Sequence, residues 1–405
     1  MNREKVLFSA IGSQDPFSVD GKDGAMLHIV SHYLPKKVYL YFTKEMLEKK
    51  DACETAIGGI NATIEVKSNK QADIENAADF DAYHEVFSQE ITRIREENPH
   101  ADILLNVTSG TSQMTLALCA EVLSHKEVLF PIQVDNPMYN KNPNRCKEPG
   151  LLGLRKSVLK RQIKDMLTKW DYTGAYYLLK NSNVWFTARL EALLHHAYCR
   201  SVEQRDMAFQ IAKNSLQNIS NNLYPCLDEE TRSVMDFDNV LALKRERGEI
   251  TDFTLRAYAF SEFLLLNEEK MEVLLESISK LSKRGKREWD LVKAEQNHPM
   301  LIKKLRKKGH NFESGFNTFT LSKVARYGEI SGYELLSNDE IRSFRNKTAH
   351  GMASITENML RKHYNEGSME IQTSIKTNIE RIYNPPPESF EIFGYINNEI
   401  TIELG

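Results

Sequence analysis

Residues 102–113 read Asp102-Ile103-Leu104-Leu105-Asn106-Val107-Thr108-Ser109-Gly110-Thr111-Ser112-Gln113. A short apolar run gives way to a hydroxyl-rich loop, which leads directly into a helical pattern over 112–125. Short apolar runs of this kind suit strands buried on both faces of a sheet. Strand, polar loop and helix in that order are the repeating unit of a parallel α/β sheet.

The same unit recurs on either side. Strands are expected at 5–11, 36–42, 61–67, 102–107 and 127–134, with helices at about 24–34, 44–57, 79–97 and 112–125. Gly58-Gly59 reads as a turn before the third strand. Right-handed crossovers then place helices on both faces, a Rossmann-like α/β domain. Ligands of such sheets sit outside the carboxyl ends of the strands, where strand order reverses.

Two polar loops are expected at that rim. One follows the first strand and offers Gly12, Ser13, Gln14 and Asp15; the other offers Thr108, Ser109, Gly110, Thr111, Ser112 and Gln113. Free amides at a helix N-terminus attract phosphate, and Ser and Thr hydroxyls add donors. The plainer alternative is ordinary helix capping by Thr108 or Ser109. No Gly-x-Gly-x-x-Gly or Gly-Lys-Thr element is present, which speaks against a dinucleotide or a triphosphate.

Residues 138–150 have the Pro, Gly and Asn content of a linker. From Leu151 to about 383 the periodicity is helical, with apolar stripes at Leu190, Leu193, Leu194, Ala197 and Tyr198, and at Phe260, Phe263, Leu264 and Leu266. His195 and His196 fall inside the first of these helices, where packing or exposure explains them better than catalysis. Pro225 marks a break between helical units. The expected domains are 1–150, 151–245 and 246–405. After Pro385-Pro386-Pro387, the tail 388–404 alternates enough to form a hairpin around Asn397-Asn398.

Within the last domain, Ser337 and Glu340 stand at capping-box spacing. Arg345-Asn346-Lys347-Thr348-Ala349-His350 follows, with Gly351 as a stop. A guanidinium stays charged and an imidazole exchanges protons near neutrality, which together suffice to cleave RNA without a metal. Over five helical positions the two side chains diverge by roughly 140° and about 7.5 Å, so they line a cleft rather than touch. The same spacing recurs at Arg95 and His100, and the plain alternative is a solvated Arg with a His near a helix end. Residues 280–308 carry eleven Lys or Arg against three acidic residues, including Arg284, Lys286, Arg287, Lys303, Lys304 and Lys307. Such a run is commonly solvated surface, and it would also attract an RNA backbone.

Composition sets the frame. The 405 residues carry a net charge of −3 and 27% charged residues, so a nucleic-acid partner has to be held by a local patch. With a mean hydropathy of −0.47 and no run of about 18–20 apolar residues, the chain reads as a globular protein with no membrane span. No signal peptide is read at the N-terminus. Cys53, Cys119, Cys146, Cys199 and Cys226 are scattered, which argues against a zinc site and for reduced thiols in the cytoplasm.

Taken together, the 345–350 motif and the 12–16 and 106–113 loops, in that setting along one chain, resemble the CRISPR-associated CARF–HEPN ribonucleases of type III systems, specifically the Csm-type stand-alone nuclease. The resemblance covers essentially the whole chain: an α/β CARF sensor, an all-α connector and an α-helical HEPN domain. It implies a homodimer whose sensors share one pocket for a cyclic oligoadenylate, with this branch suggesting cyclic hexaadenylate. It also implies two HEPN domains building a composite site for single-stranded RNA, with no stable tie to the CRISPR effector complex. His350 would move the proton, Arg345 would stabilise phosphoryl charge, and Asn346 would support either. The products would be 2′,3′-cyclic phosphates, no metal would be required, and the sensor pocket would slowly cleave its activator through Thr111 and Gln113. The competing class is a non-enzymatic nucleotide sensor whose helical domains bind a partner or nucleic acid.

Overall fold

In the computed structural model, residues 3–70, 74, 76, 79–125, 128–182, 184–226, 228–349 and 354–405 are described. They form two compact units, Met1–Ile163 with Tyr177–Trp185, and Lys164–Tyr176 with Phe186–Gly405.

The first unit alternates β1 (Lys5–Ala10), α1 (Ala25–Tyr33), β2 (Lys37–Phe42), α2 (Lys50–Ile60), β3 (Glu65–Lys70), α3 (Phe80–Glu97), β4 (Asp102–Asn106), α4 (Ser112–Ser124) and β5 (Phe130–Val134), then the short β6 (Cys146–Lys147). Strand order is β3-β2-β1-β4-β5-β6. All pairs are parallel except β5–β6, which is antiparallel at the edge. Because side chains alternate across a strand, each central strand feeds two cores. Val6, Phe8 and Ala10 of β1 join Tyr39, Tyr41, Ile103 and Leu105 on the α3–α4 face. Leu7, Val38, Leu40, Phe42 and Leu104 join Met26, Ile29, Cys53 and Ile57 on the α1–α2 face. Burial on both faces is why these strands read as unbroken apolar runs.

Two local expectations fail here. Gly58 and Gly59 lie inside α2 rather than in a turn. A helix tolerates them because Ile57 and Ile60 on the same segment anchor it to the core. The third strand therefore starts at Glu65 rather than residue 61, after a turn in which the Asn61 side chain accepts from the Thr63 amide at 3.0 Å.

The remaining chain supplies α5 (Leu151–Thr168), α6 (Tyr172–Asn181), α7 (Ala188–Ser201), α8 (Arg205–Ser215), α9 (Ser220–Leu223), α10 (Glu229–Glu246), α11 (Ile250–Leu266) and α12 (Glu269–Ile278). A hairpin of β7 (Ser279–Leu281) and β8 (Arg287–Trp289) follows, then α13 (Leu291–Asn297), α14 (Pro299–Lys307), α15 (Thr318–Tyr327), α16 (Glu334–Ser337), α17 (Asp339–Ala349), α18 (Glu357–Leu360), α19 (Ser368–Tyr383) and α20 (Ile392–Leu404). One apolar core runs from Met235 and Phe253 through Leu305 and Leu336 to Ile379.

The β7–β8 hairpin interrupts what reads as continuous helix. Gly285 at its tip has φ +72°, a conformation that L side chains rarely adopt. The tail is likewise helix, not a hairpin. Ile392, Ile396, Ile400 and Leu404 repeat every four residues and are buried, whereas Ile402 is 62% exposed. Asn397, placed at the expected turn, instead accepts from the Tyr172 hydroxyl at 2.8 Å inside the helical unit. Among the described residues, no helix is long and apolar enough to cross a membrane.

Candidate functional site

The strand order reverses between β1 and β4: β1 is followed in sequence by β2 on one side, while β4 and β5 continue on the other. The loops after β1 and β4 leave from their carboxyl ends at this switch point, where a crevice forms in open α/β sheets. The two loops are tightly joined. A Cβ placed on Gly12 would sit 2.9 Å from the Gly110 amide nitrogen, and Gly110 itself has φ +93°.

Asp15 is the brace between them. It is 1% exposed, and its carboxylate accepts from the Gly12 amide at 3.0 Å and the Met26 amide at 3.1 Å. The Ser109 hydroxyl donates to the same carboxylate from the other loop. Burial pushes the Asp15 carboxyl above its ordinary range, while the Gly12 amide, Ser109, the Met26 amide and nearby Lys49 pull it back. Its bond to Met26 also satisfies a free amide in the first turn of α1.

Asn106 performs the matching task in the second loop. Its side chain accepts from the amides of Thr108 at 3.0 Å and Ser109 at 3.3 Å, and donates to Ser9 at 2.9 Å. Thr108 accepts from the Val134 amide at 2.8 Å. The cap of α4 is Thr111, whose hydroxyl accepts from the Met114 amide at 3.3 Å, rather than Thr108 or Ser109. Ser13, Gln14, Thr108 and Ser112 are exposed, and Gly12, Gly110, Thr111 and Gln113 are partly so. The ten candidate residues of the sensor rim thus separate into buried braces, Asp15 and Ser109, and a rim of solvent-facing donors.

Sequence reasoning missed two cations. Lys49 donates to the carbonyls of Ser13 at 2.5 Å and Asp15 at 2.9 Å, tying the first loop from the end of a 3₁₀ turn over Lys44–Lys49. Arg145 donates to the carbonyls of Asp135 at 2.9 Å and Asp23 at 3.2 Å, and its amide donates to His28 at 3.1 Å. Burial and Arg145 hold His28 below its ordinary value. Lys49 is distant in sequence from the loop that it braces, and Arg145 ties the segment after β5 to Asp23 and His28; tertiary structure reveals both.

In the helical unit, α17 carries Arg345 and Asn346, both exposed. Asn338, not Ser337, caps α17, with its side chain accepting from the amides of Glu340 and Ile341 at 3.1 Å each. Ser337 instead closes α16 by donating to the Glu334 carbonyl at 3.0 Å. The Arg345 guanidinium lies 5.7 Å from the centre of the buried Tyr258 ring and donates to Asn346 at 3.3 Å. Arg342, one turn earlier, lies 3.9 Å over Phe319 and pairs with Asp339 at 2.7 Å. Two guanidiniums therefore stand on one helix beside aromatic rings. His350 lies outside the described residues.

The other Arg-x4-His copy is structural. Arg95 donates to the Ala101 carbonyl at 2.7 Å, closing the turn after α3. His196 is fully buried against Tyr224, and burial with Arg200 and His195 depresses it to about 3. Of the basic run, Arg287 is drawn to Ser279, Lys304 pairs with Glu329 at 3.8 Å, and Arg306 pairs with Glu295. Among the described residues, no group of three or more His, Cys, Asp or Glu is placed to hold a metal ion.

A sheet with a braced switch-point rim, followed by a helical body bearing an Arg–Asn pair near a helix end, has the layout of a CARF–HEPN protein. Three family descriptions match in chain order: the Cas_Csm6 CARF domain over 65–150, the CRISPR-associated protein Csm6 6H domain over 149–201, and the Cas_Csm6 HEPN domain over 223–401. The chain belongs to the Csm6 family of CRISPR-associated CARF–HEPN endoribonucleases.

Among curated proteins, the CRISPR system endoribonuclease Csm6 of Enterococcus italicus is 27% identical over 303 residues, covering 64% of this chain and 66% of that protein. The Csm6 endoribonuclease of Mycobacterium tuberculosis is 24% identical over 396 residues, covering 88% and 90%. The match to the Enterococcus protein thus spans just under two thirds of its length. In fold, a solved structure of Enterococcus italicus Csm6 bound to cyclic hexa-2′-fluoro-hexa-dAMP superposes with a TM-score of 0.76 at 23% identity, covering 99% of this chain and 100% of that one.

Proposed function

We propose that this chain is an endoribonuclease of type III CRISPR antiviral defence, switched on by a cyclic oligoadenylate, specifically the six-membered ring. The observation that carries the reading is the Gly12–Gly110 junction at the sheet's switch point, which gathers exposed hydroxyl, amide and backbone donors at the N-terminus of α4. Such a rim suits a ligand rich in phosphates, since helix N-termini and unpaired amides favour negative charge. Ser13, Gln14, Thr108, Ser112 and Gln113 contact the ligand; Gly12 and Gly110 admit its close approach, and Asp15 and Ser109 hold the loops.

Catalysis falls to Arg345, Asn346 and His350. His350 assists the ribose 2′-OH in attacking the adjacent phosphorus, or delivers a proton to the departing 5′ oxygen. Arg345 stabilises charge gathering on the phosphoryl oxygens, and Asn346 orients it. The bond formed joins O2′ to phosphorus and the bond broken is P–O5′, leaving a 2′,3′-cyclic phosphate and a 5′-hydroxyl. No metal takes part, and DNA, lacking the nucleophile, is spared. A homodimer in the cytoplasm supplies two such helices to one composite site, since an isologous contact brings the same face together twice.

The activator shifts the population toward a catalytically aligned dimer because it binds that state more tightly. Thr111 and Gln113 slowly cleave the activator and so limit the response. Thr111→Asn, which keeps a side-chain acceptor for the helix cap but removes the hydroxyl, separates chemistry from capping when set against Thr111→Ala. If Thr111→Ala fails to prolong RNA cleavage after a fixed dose of activator, self-limitation at this residue is excluded. The reading as a whole is tested by RNA cleavage with and without cyclic adenylates in EDTA. Activator-dependent cleavage that survives EDTA and ends in cyclic phosphates is expected; cleavage that needs added metal overturns the mechanism.

A further inference from the structure

We propose that the helical unit contains a second small-molecule site, a cleft of about 430 Å³ lined by α10, α19 and the start of α20, which takes a free nucleoside whose base edge carries two adjacent N–H donors, as that of guanine does. The cleft has no lining residue on α17 or in the sensor loops, and the proposal stands independently of the function proposed above.

The argument begins with hydrogen bonds that are left over. Asp238 is 2% exposed and lines the cleft, and its carboxylate accepts from the Gln372 side-chain amide at 2.7 Å. That bond fixes the Gln372 amide with its nitrogen toward the carboxylate. The other end, Oε1, is buried and has no partner, in a residue that is only 9% exposed. A buried carbonyl without a donor is uncommon and calls for a cause. Here a buried carboxylate and a buried, unpartnered amide carbonyl belong to two residues that line one cavity.

The surrounding protein has few donors left to give. Asn239, the next polar side chain along α10, is fully used: it donates to the Met235 and Ser389 carbonyls at 2.7 Å each and accepts from the Ile392 amide at 3.2 Å. Arg245 is drawn to Glu246 and to the Met369 sulfur, and Lys376 lies 4.5 Å over the Phe390 ring. The cleft side of the Asp238 carboxylate is thus open to N–H donors that a ligand brings. Burial raises the Asp238 carboxyl to about 7, with Gln372, Lys376 and Arg245 drawing it down, so its charged form gains from each added donor.

The walls select a flat molecule. Trp170, Phe390 and Phe393 line the cleft, and Phe393 is held in place by stacking on Tyr172 at 5.2 Å. The volume lies in the range of small-ligand sites. A carboxylate receives the N1–H and exocyclic N–H of guanine side by side. Inosine keeps only the first of these donors, and adenosine has no N1–H.

The test uses the full-length chain, with calorimetry and tryptophan fluorescence on titration with guanosine, inosine and adenosine. Guanosine is expected to bind saturably and quench fluorescence, inosine at least tenfold more weakly, and adenosine not measurably. Asp238→Asn, which keeps the shape and removes the carboxylate, is expected to abolish guanosine binding, and Trp170→Phe to remove the quenching. Gly394→Leu serves as a second variant should Asp238→Asn misfold, because a Cβ at Gly394 meets nothing within 4 Å while the added side chain narrows the cleft. Equal affinity for the three nucleosides, no binding of guanosine, or binding unchanged in Gly394→Leu and in a folded Asp238→Asn would each overturn the proposal.

Discussion

Gly12 and Gly110 meet backbone to backbone, so closely that a methyl on Gly12 would stand 2.9 Å from the Gly110 nitrogen. The contact joins the carboxyl ends of β1 and β4, and neither partner can yield easily because both are main chain. Gly12→Ala is therefore expected to splay the two loops and weaken cyclic oligoadenylate binding at least tenfold. A thermal-stability loss of about 1–3 kcal/mol should accompany it, the usual cost of overpacking. Calorimetric titration of the activator checks this, and wild-type affinity in Gly12→Ala would remove the junction from the account.

Arg345 is solvent-exposed and its described polar partner is its own neighbour, Asn346. Arg345→Ala should leave stability within about 0.5 kcal/mol, as surface changes do. It should also lower RNA cleavage at least a hundredfold. Arg345→Lys retains the charge but not the planar fork, and is expected to recover little of the loss. Parallel melting curves and cleavage rates measure both.

His196 supplies a pH dependence whose sign is fixed. Its ordinary value of 6.5 falls to about 3 in the fold because burial disfavours the imidazolium. The unfolded chain takes up a proton below 6.5 and the folded chain does not, so this stabilisation is complete above 6.5 and drains away toward pH 3. The slope should be roughly 1 kcal/mol per pH unit below 6.5. Asp238, raised to about 7, acts in the opposite direction, losing its stabilising share as pH rises from its ordinary 3.8 through 7. Comparing His196→Gln with wild type isolates the first effect: the difference between them should shrink as pH falls from 7 to 5.

The terminal helix gives a packing test. Ile396→Ala removes a fully buried side chain and should cost about 2–5 kcal/mol, whereas Ile402→Ala, at a site 62% exposed, should cost under about 0.5 kcal/mol. A hairpin would not separate the two residues in this way. Denaturant titration of both variants decides it.

The sheet was legible because its strands are buried on both faces: Leu104 and Leu105 face different cores, so no polar residue interrupts the run. The rim was legible for a related reason, since only loops at the carboxyl ends carry such a density of hydroxyls. Longer-range relations were not. Asp15 reads as a ligand-facing acid, yet it is consumed by Gly12, Met26 and Ser109. Lys49 braces the rim from a position with no local signal. The 388–404 tail misled because Phe390, Ile392, Ile400 and Ile402 satisfy an alternating pattern while Ile392, Ile396, Ile400 and Leu404 satisfy a helical one. Burial chose the second.

Full-length protein given a fluorogenic single-stranded RNA in EDTA, with cyclic tetraadenylate, cyclic hexaadenylate or no activator, puts the coupling of rim to nuclease to its most direct trial. The expected result is rapid cleavage with the six-membered ring alone, abolished by Arg345→Ala and by His350→Ala. Cleavage at one rate under all three conditions, or persisting undiminished in both variants, would contradict it.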